Sequence, residues 1–286
     1  MNLAGSASLI HRGRLPSNDG LTLFFGDSFV RMFGLIDHPD LKVVGFKGAS
    51  AKGLTREANE NRLTMLRRIQ QSKPDRVVLC FGSVDVHLSY YFTKYVKDDS
   101  PTIDLKAVAD AYVDFAASLP VKNIHVIGVY PSPLAPHNVR QSLMNYGIIQ
   151  QDTILSEEDL AVEGRQNRVR EFNESLKAAC LRHGLSFESI YDDVLDPDTN
   201  LLKPCFQDVA ECNVHIVWET TILVWLDRLP WLRALAGSSL LKSLNQSLKK
   251  YLRSKPWANQ GHAANYVNGD GIVDATKGHD GQRRRG

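Results

Sequence analysis

The chain has 286 residues, 43% of them hydrophobic, enough for one well-buried domain with an appendage. Against 34 basic residues stand 32 acidic ones, and the net charge of +2 gives no bulk attraction for nucleic acid or an anionic membrane surface. The four cysteines stand singly without a Cys-x-x-Cys pair, which argues against a zinc ribbon or a redox dithiol and for reduced, partly buried thiols.

Residues 1–19 form a lead segment that lacks the apolar core of a secretory signal. It is mildly basic, Ser-containing and free of acids before Asp19, a composition shared with organelle transit peptides. No stretch reaches the roughly 18 apolar residues of a membrane span. The longest candidate, 222–235, is broken by Asp227, Arg228, Pro230 and Arg233. A soluble, cytoplasmic protein is the default expectation.

Short apolar runs at 21–25, 41–46, 76–81, 123–129 and 185–190 read as strands. Between them, 59–71, 105–119 and 160–183 carry helical spacing, the last with Gly184 placed as a C-cap. Apolar strands that alternate with helices predict a parallel five-stranded sheet covered on both faces, with ligands at the carboxyl ends of the strands. The main domain is expected over 20–235. From 236 to 255 a stripe of Leu240, Leu241, Leu244, Leu248 and Leu252 predicts an amphipathic helix, and 256–286 a flexible tail. Asn268-Gly269-Asp270-Gly271 looks like part of a calcium loop, but Tyr266 and Lys277 fall where its first and last ligands belong, so no metal site is expected.

Chemistry concentrates where the first strand ends, in Phe25-Gly26-Asp27-Ser28-Phe29. Gly26 permits a tight turn, and Ser28 falls at a helix start, where unpaired backbone N–H groups can stabilise an oxyanion. Asp27 and Ser28 also suit simple capping. No Gly-x-Ser-x-Gly elbow, His-Glu-x-x-His or phosphate-binding glycine loop is present.

In order along the chain, Gly26-Asp27-Ser28, Gly45 to Leu54, Gly82-Ser83-Val84-Asp85 and Val214-His215 resemble the dispersed blocks of the SGNH (GDSL-type) hydrolases. The resemblance covers roughly residues 20–230. It implies a flavodoxin-like three-layer α/β/α fold and a serine-dependent hydrolase of ester bonds, acting on a small-molecule, lipid or saccharide ester without cofactor or metal. It further implies Ser28 as nucleophile, Gly48 as backbone oxyanion donor and His215 as base. The third block departs from the family's Gly-x-Asn-Asp at Val84, which cannot donate, leaving Asp85, His87 or a backbone N–H to serve. The last block departs from Asp-x-x-His at Cys212, which leaves Glu211, Asp208 or no acid at all to orient the imidazole. Two rivals accompany this expectation: an O-acyltransferase using the same site, and a binding module whose site has decayed. The segments 89–104 and 131–156 are expected to wall the rim, with Tyr90, Tyr91, Phe92 and Tyr95 as sugar-stacking or core rings.

Overall fold

The computed structural model describes residues 20–97, 102–207 and 212–237. Strands β1 (Thr22–Gly26), β2 (Leu41–Gly45), β3 (Arg76–Cys80), β4 (Asn123–Ile127) and β5 (Ser186–Glu188) lie within the five expected runs or a residue beyond. They form one sheet in the order β2-β1-β3-β4-β5, with every neighbour parallel. Around it run α1 (Ala51–Leu54), α2 (Glu60–Ser72), α3 (Leu105–Ala117), α4 (Val139–Asn145), α5 (Val162–His183) and α6 (Trp218–Arg228).

Strand side chains alternate between faces, and here both faces are apolar. Leu23, Phe25, Val77, Leu79, Ile124 and Val126 point into a core shared with α1, α2, α3 and α5. Phe24, Val78, Cys80 and Ile127 point into a second core, closed by the segment after β1, by α4 and by α6. The result is a three-layer α/β/α domain with the flavodoxin-like strand order.

Helix boundaries follow local chemistry. Asn59 caps α2 by accepting from the Arg62 N–H at 3.0 Å, and Asp104 caps α3 through the Ala107 N–H at 2.9 Å. Gly184, with φ of 65°, ends α5 as expected. Trp225 of α6 is fully buried, and its Nε1–H donates to the Tyr130 hydroxyl at 2.8 Å. The chain is helical again from 230 to 237. The leucine stripe of 240–252, the tail and the 268–271 turn lie outside the described residues. Of the cysteines, Cys80 and Cys180 are buried and Cys212 half-buried, while Cys205 departs from expectation in being exposed. Among the described residues no helix is long and apolar enough to cross a membrane.

Because β2 and β3 flank β1, the connections leaving the carboxyl ends of β1 and β3 diverge, and a crevice opens between them. The register sets Gly26 beside Cys80. A Cβ on Gly26 would lie 2.4 Å from the Cys80 carbonyl oxygen and 2.6 Å from the Val30 Cβ. Both obstacles are held by the sheet and its core, so neither can yield cheaply. Gly26→Ala is expected to lower unfolding free energy by about 3 kcal/mol, a loss readable in urea denaturation; an unchanged midpoint would show that the strand end has slack.

Candidate active site

Directly after β1 the expected helical stretch takes the form of a 3₁₀ segment, Ser28–Leu35. Its side chains from Phe29 onward are buried, and Ser28 is half-buried at its open end. Asp27 is the N-cap: its Oδ1 accepts from the Phe29 N–H at 2.9 Å, and the residue is wholly buried. Burial raises its pKa to about 7, the Asp85 charge adding to this while the N–H groups of Phe29, Val84 and Ser83 pull the other way. Asp27 therefore anchors the turn from below, and Ser28 faces the crevice.

The partner of Ser28 comes from 187 residues away. The Ser28 Oγ lies 2.6 Å from the His215 Nε2. His215 directly precedes Ile216, which forms an isolated antiparallel bridge with Gln207 two residues before α6 begins. Its ring stacks on Phe29 at 4.7 Å between centroids, and Phe29 in turn lies 5.6 Å from Tyr130.

Behind the imidazole stands a residue not singled out in the sequence, Asn213. Its Oδ1 lies 2.8 Å from the His215 Nδ1, 3.1 Å from the His215 backbone N and 3.1 Å from the Tyr146 hydroxyl. A backbone N–H can only donate, so the amide atom facing it is the oxygen. That same oxygen then requires a proton on Nδ1, which leaves the Nε2 lone pair aimed at Ser28. This is the tautomer a general base needs. Burial lowers the His215 pKa to about 4, and the Arg31 charge adds to this, so the ring is neutral around pH 7. The acids expected behind the ring, Glu211 and Asp208, lie outside the described residues. The only sequence signal for Asn213 was its place two residues before His215.

The loop after β2 starts beside the end of β1, where the Phe46 N–H donates to the Gly26 carbonyl at 2.8 Å. Gly48 is exposed at φ of 69°, left-handed backbone that favours glycine. Among the described residues neither the Ser28 nor the Gly48 N–H donates to a protein acceptor. Asp85 is not at this opening. It is buried, with Oδ2 accepting from the Ala51 N–H at 2.6 Å and Oδ1 from the Lys52 N–H at 3.1 Å. Both oxygens are spent on the first turn of α1, although burial still raises the carboxyl to about 6. The third block thus braces the second. Asp85→Ala strands two N–H groups at roughly 1–3 kcal/mol each when fully buried, so a loss of about 2–4 kcal/mol in urea unfolding is expected. Asp85→Asn, which keeps one acceptor, should lose about half of that; equal losses would mean that the hydrogen bonds are not what holds α1.

His87 is also turned away from Ser28. Its Nε2 donates to the Tyr130 carbonyl at 3.1 Å, and burial lowers its pKa to about 4. Val84 offers no donor, so any oxyanion contact here comes from backbone. Tyr91 is buried and Tyr95 donates to Asp159, which ties these rings into a polar cluster rather than an open sugar platform; Phe92 is exposed. No three His, Cys, Asp or Glu residues among those described are grouped to hold a metal.

No protein-family model matches the chain, and no curated protein matches it in sequence. Among solved structures it is similar to a candidate acylhydrolase from Bacteroides fragilis, at 14% identity and a TM-score of 0.47, covering 81% of this chain and 89% of that one. A GDSL-like lipase from Bacteroides thetaiotaomicron aligns at 13% identity and a TM-score of 0.45, covering 74% and 88%. A catalytic mutant of an acetylxylan esterase from Geobacillus stearothermophilus aligns at 17% identity and 0.46, covering 73% and 94%.

Proposed function

We propose that the protein is a serine-dependent hydrolase of ester bonds. The observation that carries this is the Ser28 Oγ at 2.6 Å from a His215 Nε2 whose lone pair faces it. A hydroxyl is a weak nucleophile until a base takes its proton as it attacks, and the neutral imidazole is placed to do so.

In this reading Ser28 attacks the ester carbonyl and its proton passes to His215. The N–H groups of Ser28 and Gly48 receive the developing oxyanion. As the intermediate collapses, His215 returns the proton to the leaving alcohol. Water, activated by the same imidazole, then attacks the acyl-serine and releases the acid. Asn213 holds the ring throughout, and no group outside the chain is required.

Val84 removes the side-chain donor that the resembled family places beside the oxyanion, and loss of one such donor costs on the order of 10²–10³ in rate. A slow esterase is therefore the expectation. The contact between Ser28 and His215 favours a working site over a decayed one, because a binding module gains nothing from aiming a bare imidazole lone pair at a serine.

The test is covalent. Purified protein incubated with a fluorophosphonate should gain one adduct, and peptide mass spectrometry should place it on Ser28. Folded protein that stays unlabelled through long incubation would overturn the proposal.

A further inference from the structure

Beside Val214, the residue before His215, lies a cluster of charge that does not balance among the described residues. Arg165 and Arg168, one turn apart on α5, are 3% and 8% exposed. The one carboxylate among them is Asp159, fully buried. Arg168 pairs with its Oδ1, donates to the Tyr91 hydroxyl at 3.2 Å, and lies over the Tyr90 ring at 3.5 Å. Lys94 takes the other oxygen at 2.7 Å, and the Tyr95 hydroxyl donates to it as well. Both oxygens of Asp159 are therefore committed to other groups.

Among the described residues Arg165 has no carboxylate partner. Its Nη1 and Nη2 donate to the carbonyls of Leu160 and Leu134, and its Nε is buried without any partner. A guanidinium does not give up its proton in a protein interior, so the positive charge stays. Among the described residues two buried guanidinium groups and the partly exposed Lys94 share one carboxylate, and Arg165 is the cation left without one, in a place where an uncompensated charge is costly to hold. Burial and the neighbouring Arg168 both pull the Arg165 pKa below its ordinary value.

Beside these arginines is a cavity. Arg165, Arg168, His87 and Ser132 line it together with Leu143 and Val214. The space open to the centre of a water-sized sphere is about 10 Å³, room for roughly one water or one monatomic ion. His87 adds no charge, since its ring donates to Tyr130 and stays neutral.

We propose that this cavity binds a single halide-sized anion, which supplies the counter-charge Arg165 lacks. The narrowness of the space favours a free monatomic ion such as chloride as the occupant. Val214 precedes His215, and the His87 ring lies 6.5 Å from Phe29, which stacks on His215. Neither Ser28 nor His215 lines the cavity, and the binding of the ion does not depend on the esterase reading.

The experiment uses the full chain in sodium gluconate, with chloride or bromide substituted at constant ionic strength. Binding to the folded state alone raises Tm by mass action, on the order of 5 °C at a hundredfold excess over Kd. Chloride and bromide are expected to raise Tm in this way, and Arg165→Met to lose the effect. Equal Tm in gluconate and halide for the wild type would overturn the proposal, as would a halide shift that survives in Arg165→Met. Should that variant fail to fold, wild-type crystals soaked in bromide decide the matter: an anomalous peak between Arg165 and Arg168 is expected, and its absence at saturating bromide refutes the site.

Discussion

Ser28→Ala is expected to lower kcat on an activated ester by about 10⁴-fold or more, and His215→Ala to do nearly the same. The two act as a unit: without the imidazole the hydroxyl keeps its proton, and without the hydroxyl the imidazole has nothing to activate. The double variant should therefore be no slower than either single one, because the losses in such a unit do not add. What remains would come from backbone donors and substrate binding, which are untouched. Both variants should fold. Ser28 is half-buried, and its described side-chain contact is the one to His215. Truncating it should cost no more than about 1 kcal/mol, the usual worth of one hydrogen bond. Steady-state kinetics with a chromogenic ester, beside thermal unfolding of each variant, reads both quantities. A Ser28→Ala protein within tenfold of wild type would remove Ser28 from the chemistry.

The strands were legible because each is a compact apolar run buried on two faces, and such runs end at the glycines where the chain must turn. α2, α3 and α5 were legible from their periodicity and, at Gly184, from a residue that tolerates positive φ. Two helices on the second face were not read. The pattern of α6, with Ile222, Trp225 and Leu226 turned inward, was present, but the segment drew notice only as an interrupted membrane span. α4 is seven residues long, too short for a periodicity to declare itself.

The site divides along the same line. Ser28 could be read because its signal is local: strand, glycine, acid, serine, helix start. The task of Asp85 could not, since its oxygens find Ala51 and Lys52 across 34 and 33 residues, a pairing that only the sheet order creates. The third block looked like a source of an oxyanion donor and serves instead as a brace for the loop that carries Gly48. Asn213 was passed over for a different reason. The family pattern places a carboxylate behind His215, and an amide does not match that pattern, although its oxygen meets the Nδ1–H at 2.8 Å.

Asn213 carries the second large expectation. A neutral amide fixes the tautomer and the plane of His215, as an asparagine does in Cys-His-Asn proteases, but adds no negative charge to stabilise the imidazolium. Asn213→Ala removes the acceptor, releases the ring to its other tautomer, and is expected to cost about 10²–10³ in kcat with KM little changed. Asn213→Asp keeps an acceptor and adds a charge, so it separates orientation from electrostatics. In the wild type the base works only when neutral, and kcat/KM reports the pKa of the free enzyme. Since the His215 pKa is lowered to about 4, activity should persist as pH falls below 6.5 and be lost on approach to 4, with the solvent-facing edge of the half-buried ring setting the limb somewhat above that floor. A carboxylate 2.8 Å from Nδ1 favours the charged imidazole and raises its pKa, typically by about 1–3 units. The acid limb of Asn213→Asp must then move upward by at least about one unit, and the variant should lose activity at pH 5 while retaining it at pH 8. Asn213→Ala keeps a low plateau above an acid limb that is not displaced upward in this way. If the Asp variant left the limb where it was, or the Ala variant stayed within twofold of wild type, His215 would be oriented by something other than the amide at its back.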